Sequence, residues 1–146
     1  MWNPFRPRNF SWGATLLTAE QVTAHLLAAF PAADIDLNDP EYMCLTENNL
    51  RDFVSKYQPR RGMRYAQPFP DCDDFALMAW GDILHGAYVR EFQRAPLFGF
   101  IKLQQPQRPY HAENWGMTEH GVMLYEPQSG RWSVDYADAE RVFIDG

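Results

Sequence analysis

Residues Asp71-Cys72-Asp73-Asp74 set one thiol among three carboxylates, immediately before the apolar run 75–80. A cysteine at a helix start gains from the free backbone N–H groups of the first turn, which stabilise a thiolate and lower its pKa from roughly 8.5. Negative neighbours act the other way and raise a thiol pKa. The cluster therefore either silences Cys72 or holds a cation that cancels the charge.

A nucleophilic Cys72 needs an imidazole within reach, and the chain offers four histidines. His85 falls on the same expected helix as Cys72, about 20 Å along it at the standard rise. His25 flanks the apolar stripe of the first helix, and His120 sits at the expected tip of a hairpin, where side chains are solvated. His111 opens a strand, a position from which a rigid scaffold can aim a ring into a cleft. If the hairpin turns about Glu119 and His120, Glu113 faces Glu126 and Glu126 lies diagonal to His111, close enough to orient the ring. A three-residue loop would shift Glu126 by one position, which leaves Glu113, Asn114 and Asp135 as other orienting groups.

The elements that must position these residues follow from periodicity. Thr18-Ala-Glu-Gln21 fits a capping box ahead of the stripe Val22, Leu26, Leu27 and Phe30, and Pro31 ends that helix. A second helix is predicted from about Thr46, with Leu50, Phe53, Val54 and Tyr57 at helical spacing, stopped by Pro59. Residues 58–70 read as a loop, with Asp71 as the N-cap of a third helix over 72–88. That helix carries Phe75, Leu77, Met78, Trp80, Ile83 and Leu84 on nearly every side, the pattern of a buried central helix. Short strands are predicted over 97–104, 111–117, 121–126, 131–136 and 142–144. Helices first and antiparallel strands afterwards predict an α+β domain with its sheet packed on the third helix.

At 146 residues, 46% of them apolar and 15% aromatic, the chain is long enough for one packed unit, with residues 1–15 set apart as a poorly ordered N-terminal segment. A net charge of −6, with basic residues scattered, argues against a nucleic-acid surface. No leader-like apolar segment and no membrane-length run is present, so the expected setting is cytoplasmic. Cys44 and Cys72 read as free thiols, Cys44 as a structural one.

In order, Asp71-Cys72-Asp73-Asp74-Phe75-Ala76, His111-Ala112-Glu113-Asn114-Trp115 and Tyr125-Glu126-Pro127-Gln128-Ser129-Gly130 resemble the papain-like protease domain of the Marasmius oreades agglutinin family of mushroom lectins. The resemblance runs from about residue 15 to the end. It implies a papain-like fold over 1–146 and a calcium-activated cysteine protease with Cys72 as nucleophile, His111 as general base and Glu126 as third member. It further implies a calcium or manganese ion at Asp73, Asp74 and Gln128, whose hard oxygens suit either metal. Gln67 matches by position alone the glutamine that such enzymes use as an oxyanion donor. The family's sugar-binding trefoil region has no counterpart here, so glycan binding is not expected.

On that reading His111 takes the Cys72 proton, the thiolate attacks a peptide carbonyl, and the Cys72 backbone N–H stabilises the oxyanion. The partner is a peptide or protein substrate, not nucleic acid or membrane, and a homodimer is compatible with it. Two alternatives stand beside it. The same residues would serve an amidase, a peptidoglycan endopeptidase or a transglutaminase; or the chain is a catalytically inert, divalent-cation-binding interaction module.

Overall fold

The computed structural model describes residues 14–58 and 71–146. Gln67, most of the expected 58–70 loop and most of the N-terminal segment lie outside the described residues. The first described strand, β1 (Thr15–Thr18), leads directly into α1 (Ala19–Ala29). The predicted capping box is reciprocal: Thr18 Oγ1 accepts from the Gln21 backbone N–H at 3.2 Å, and Thr18 donates its own N–H to Gln21 Oε1 at 2.9 Å. Val22 and Leu26 are the buried face of α1.

Strands β2 (Asp34–Asp36) and β3 (Glu41–Cys44) follow, then α2 (Glu47–Tyr57), capped by Thr46 and burying Leu50, Phe53 and Val54 at helical spacing. Helix α3 (Cys72–Val89) starts where Asp71 donates its backbone N–H to Asp74 Oδ2 at 3.0 Å. The remaining strands are β4 (Phe98–Gln105), β5 (Arg108–Thr118), β6 (Gly121–Glu126), β7 (Arg131–Ser133) and β8 (Arg141–Asp145). The six-stranded sheet has the order β2-β8-β4-β5-β6-β7, antiparallel except for the parallel β2–β8 pair, while β1 and β3 form a separate two-stranded sheet.

Helix α3 packs on β4 and β5 through a face of small residues, in contrast to the predicted ring of large ones. Ala76, Ala79, Gly86 and Ala87 are buried with Phe75 and Ile83, whereas Leu77 and Leu84 are 52% and 40% exposed. Small residues let the helix approach closely: a Cβ on Gly86 would lie 2.6 Å from Tyr57 Cγ on α2. The sheet ties itself to the helix through buried Asn114, whose Nδ2 donates to the Ala76 carbonyl at 2.8 Å and to the Gly99 carbonyl at 3.1 Å. Trp115, fully buried on the same strand, donates Nε1–H to the Asp145 carbonyl at 2.9 Å.

This architecture corrects the expected papain-like α+β fold, in which helices precede the sheet. Eight strands and three helices are interleaved among the described residues, and the larger sheet dominates. The missed strands β1, β2 and β3 are only three or four residues long, too short for alternation to register in the sequence, and each draws its pairing from a distant partner. Asp34–Asp36 is the clearest case: its sequence reads as a polar connector, yet Ile35 points inward and the backbone completes the sheet edge on β8.

Candidate functional site

The α3 N-terminus brings Cys72 against the β5 backbone at Ala112, the residue after His111. Burial pushes the Cys72 thiol above its ordinary range; a hydrogen bond from the Ala112 backbone pulls it back, and the Asp73 and Asp71 charges push it up again. The thiol donates to Asp73 Oδ1 at 3.7 Å, an interaction that favours its protonated form. With no metal cation on the aspartates, the balance lies toward the thiol, the helix dipole being worth only about 0.3–1 kcal/mol at such a site.

The charge of the acidic cluster is met from the sheet. Lys102 on β4 donates Nζ to Asp73 Oδ2 at 3.1 Å. Asp74 is engaged in capping the Asp71 backbone. A calcium or manganese ion on Asp73, Asp74 and Gln128 would therefore have to compete with a lysine for one carboxylate and with a helix cap for the other. Lys102 went unnoticed in the sequence because one lysine in an alternating strand looks like a solvated residue; only the β4–β5 register, with Lys102 opposite Ala112, places it beside α3.

The second half of the site is built by the β5–β6 hairpin. Gly121 takes φ +102°, a conformation that favours glycine, and the two-residue turn pairs Thr118 with Gly121 and Asn114 with Tyr125. Side chains at 111 and 113 share one face of β5. His111 Nε2 lies 2.8 Å from Glu126 Oε2 and 3.7 Å from Glu113 Oε1. The other Glu126 oxygen accepts the Gln128 backbone N–H at 3.1 Å. Gln128 thus orients Glu126 through its main chain. Of the remaining orienting candidates, Asn114 is committed to α3 and β4, and the Asp135 backbone carbonyl accepts from Gln105 Nε2 at 3.2 Å.

Glu113 also lines a polar pocket of about 330 Å³, shared with Gln105, Gln107, Arg131, Ser133 and Asp138. Gln105 Nε2 donates to Asp138 Oδ1 at 2.8 Å across one wall. Sequence reasoning passed over this pocket. Its residues come from the β4–β5 turn, β5, β7 and the segment beyond, and no local motif links them.

No protein-family model and no curated protein matches the chain. Among solved structures, a PSL1a–E64 complex superposes with a TM-score of 0.71 and 26% identity, covering 88% of this chain and 50% of that one. Polyporus squamosus lectin, bound to the human-type influenza-binding epitope Neu5Acα2-6Galβ1-4GlcNAc, gives a TM-score of 0.68 and 24% identity, covering 88% and 49%. The chain spans about half the length of each. Its fold is that of part of a fungal lectin, a protein class related to the agglutinin family named above.

These likenesses correct the functional expectation. One of these two neighbours is a lectin bound to a glycan, so the cysteine protease, its peptide or protein substrate, and the amidase, endopeptidase and transglutaminase variants are not supported. Cys72, His111 and Glu126 follow one another in the order of a triad, and burial together with Asp73 pushes the Cys72 thiol upward, away from a ready thiolate. No helix among the described residues is long and apolar enough to cross a membrane.

Proposed function

We propose that this chain is a non-catalytic recognition module that takes a glycan in the polar pocket beside His111 and Glu113. One observation carries the proposal: a concave site rich in amides, carboxylates and a hydroxyl lies on a fold shared with about half of a lectin bound to a sialylated trisaccharide, and the pocket is separate from any trefoil region. A sugar ring is a dense array of hydroxyls that both donate and accept. Gln105 and Gln107 offer both functions, Ser133 likewise, and Glu113, Asp135 and Asp138 accept. A volume of about 330 Å³ is at the small end of ligand pockets, suited to one or two sugar units. Three carboxylates against the single guanidinium of Arg131 favour a neutral sugar over an acidic one.

A divalent ion at Asp73, Asp74 and Gln128 belongs to the same proposal as a stabilising ligand, and millimolar calcium would then raise the melting temperature. The test of the main claim is a glycan array probed with the chain at high density. Neutral glycans should be retained, with retention lost in Ser133→Ala and Asp138→Ala. Absence of any glycan binding, or cleavage of casein that disappears in Cys72→Ala, would overturn it.

A further inference from the structure

The geometry points to a transition-metal site at His111, Glu113 and Glu126, separate from the all-oxygen set at Asp73, Asp74 and Gln128, and standing whether or not the neighbouring pocket takes a sugar. One ligand atom from each of the three residues lies within 4.8 Å of the others, the single such convergence of His, Cys, Asp and Glu groups among the described residues.

Both carboxylates aim at the same ring atom: His111 Nε2 is 2.8 Å from Glu126 Oε2 and 3.7 Å from Glu113 Oε1. Bonds of about 2.1 Å to a metal separate neighbouring ligands by about 3.4 Å in a tetrahedron and about 3.0 Å in an octahedron. The two measured separations straddle those values. Rotamer adjustment of the two glutamates would bring all three ligand atoms, now within 4.8 Å of one another, onto one ion.

The scaffold favours such a site in three ways. First, His111 and Glu113 are alternate residues of β5, paired with Leu103 and Ile101 of β4, and Glu126 ends β6, paired with Arg131 of β7. The backbone positions are therefore fixed before any ion arrives. Second, the Gln128 backbone N–H holds Glu126 Oε1 at 3.1 Å and leaves Oε2 turned toward the imidazole, an outer hydrogen bond of the kind that orients metal-binding carboxylates. Third, the side chains of Glu113, Glu126 and His111 are only 13%, 23% and 31% exposed. A cation seated among these groups, with that little water to screen it, is held more strongly than one on an open surface.

The donor set selects the metal. An imidazole nitrogen with two carboxylates suits zinc, manganese or cobalt and is a poor match for calcium, which takes oxygen ligands. Three protein ligands leave at least one position open to water or to a partner's hydroxyl or carboxylate.

Calorimetric titration of the whole chain with Zn²⁺ in chelator-free buffer tests the inference. One ion per chain should bind; Glu113→Gln and His111→Gln should each weaken it at least about tenfold, whereas Asp73→Asn and Cys72→Ser should leave it unchanged. Should a variant fold poorly, Co²⁺ added to the unaltered chain gives an independent readout: a visible spectrum of nitrogen and oxygen ligation without a sulfur-to-metal charge-transfer band. Affinity insensitive to His111→Gln, loss of binding in Cys72→Ser, a thiolate band with Co²⁺, or no stoichiometric binding at all would each overturn it.

Discussion

Two glycines on α3 offer the same chemical change in opposite surroundings. Gly81 is exposed, and a Cβ there would meet nothing within 4 Å. Gly86 is buried, and a Cβ there would lie 2.6 Å from Tyr57 Cγ and 2.9 Å from Tyr57 Cβ and Cδ1. In a helix interior, alanine is better than glycine by about 0.8–1 kcal/mol. At Gly81 nothing opposes that gain. At Gly86 the clash involves Tyr57 Cβ, next to the backbone, so ring rotation cannot relieve it and α2 itself must move. Tyr57 also packs on Phe53 at 4.7 Å, and Phe53 on Phe92 at 5.1 Å, so the displacement would propagate along an aromatic row. Overpacking of this kind costs about 1–3 kcal/mol, at times more, which exceeds the propensity gain. With roughly 2–4 °C per kcal/mol for a domain near this size, Gly81→Ala should melt about 2–4 °C higher than the unaltered chain and Gly86→Ala several degrees lower. Thermal denaturation followed by circular dichroism reads both. If Gly86→Ala melts as high as Gly81→Ala, the close approach of α2 and α3 is wrong.

Asp145 is held above the ordinary carboxylate value of 3.8, chiefly by burial and then by the charges of Asp36, its register partner on β2, and Asp34. A raised folded-state pKa gives stability that is present below the unfolded value and lost as pH rises through the folded one. Asp145→Asn should therefore stabilise the chain at pH 7 by about 0.2–1 kcal/mol, the scale for a like-charge pair across strands, with the gain vanishing below pH 3.8 in a series of urea denaturations. Replacing Asn114 with alanine removes two buried hydrogen bonds to the Ala76 and Gly99 carbonyls and should cost about 2–3 kcal/mol, seen as a lower urea midpoint with an unchanged slope. Tyr136→Phe deletes the 2.8 Å hydrogen bond to the Val122 carbonyl while keeping the ring against Phe30, so a loss of about 0.5–1.5 kcal/mol is expected in the same assay.

Much of the local structure was legible in the chain because it is locally encoded. Thr18 and Gln21 form their capping box without tertiary help, Thr46 and Asp71 open their helices, and the turn at Glu119 and His120 sets the β5–β6 register that brings Glu126 to His111. What stayed hidden depends on contacts distant in sequence. Strands β1 and β3 exist because they pair with one another, and β2 because β8 runs beside it. The outward turn of Leu77 and Leu84 follows from the small face that α3 presents to β4 and β5, which apolar periodicity cannot distinguish from burial on all sides. At the site, residue types suggested a nucleophile, an imidazole and an acid. The state of the thiol depends on burial, the Ala112 backbone and the neighbouring Asp73 and Asp71, and the first two are set by the folded arrangement.

The central claim is recognition without catalysis, and the state of Cys72 is its most direct test. Alkylation of Cys72 by iodoacetamide, followed by mass spectrometry from pH 5 to 10, reports the thiolate fraction, with Cys44, also pushed upward by burial, as an internal reference. A recognition module predicts slow modification at neutral pH, rising only in the alkaline range, and no change in His111→Ala. Rapid modification of Cys72 at pH 6–7 that is lost in His111→Ala would show an activated thiolate and contradict the claim.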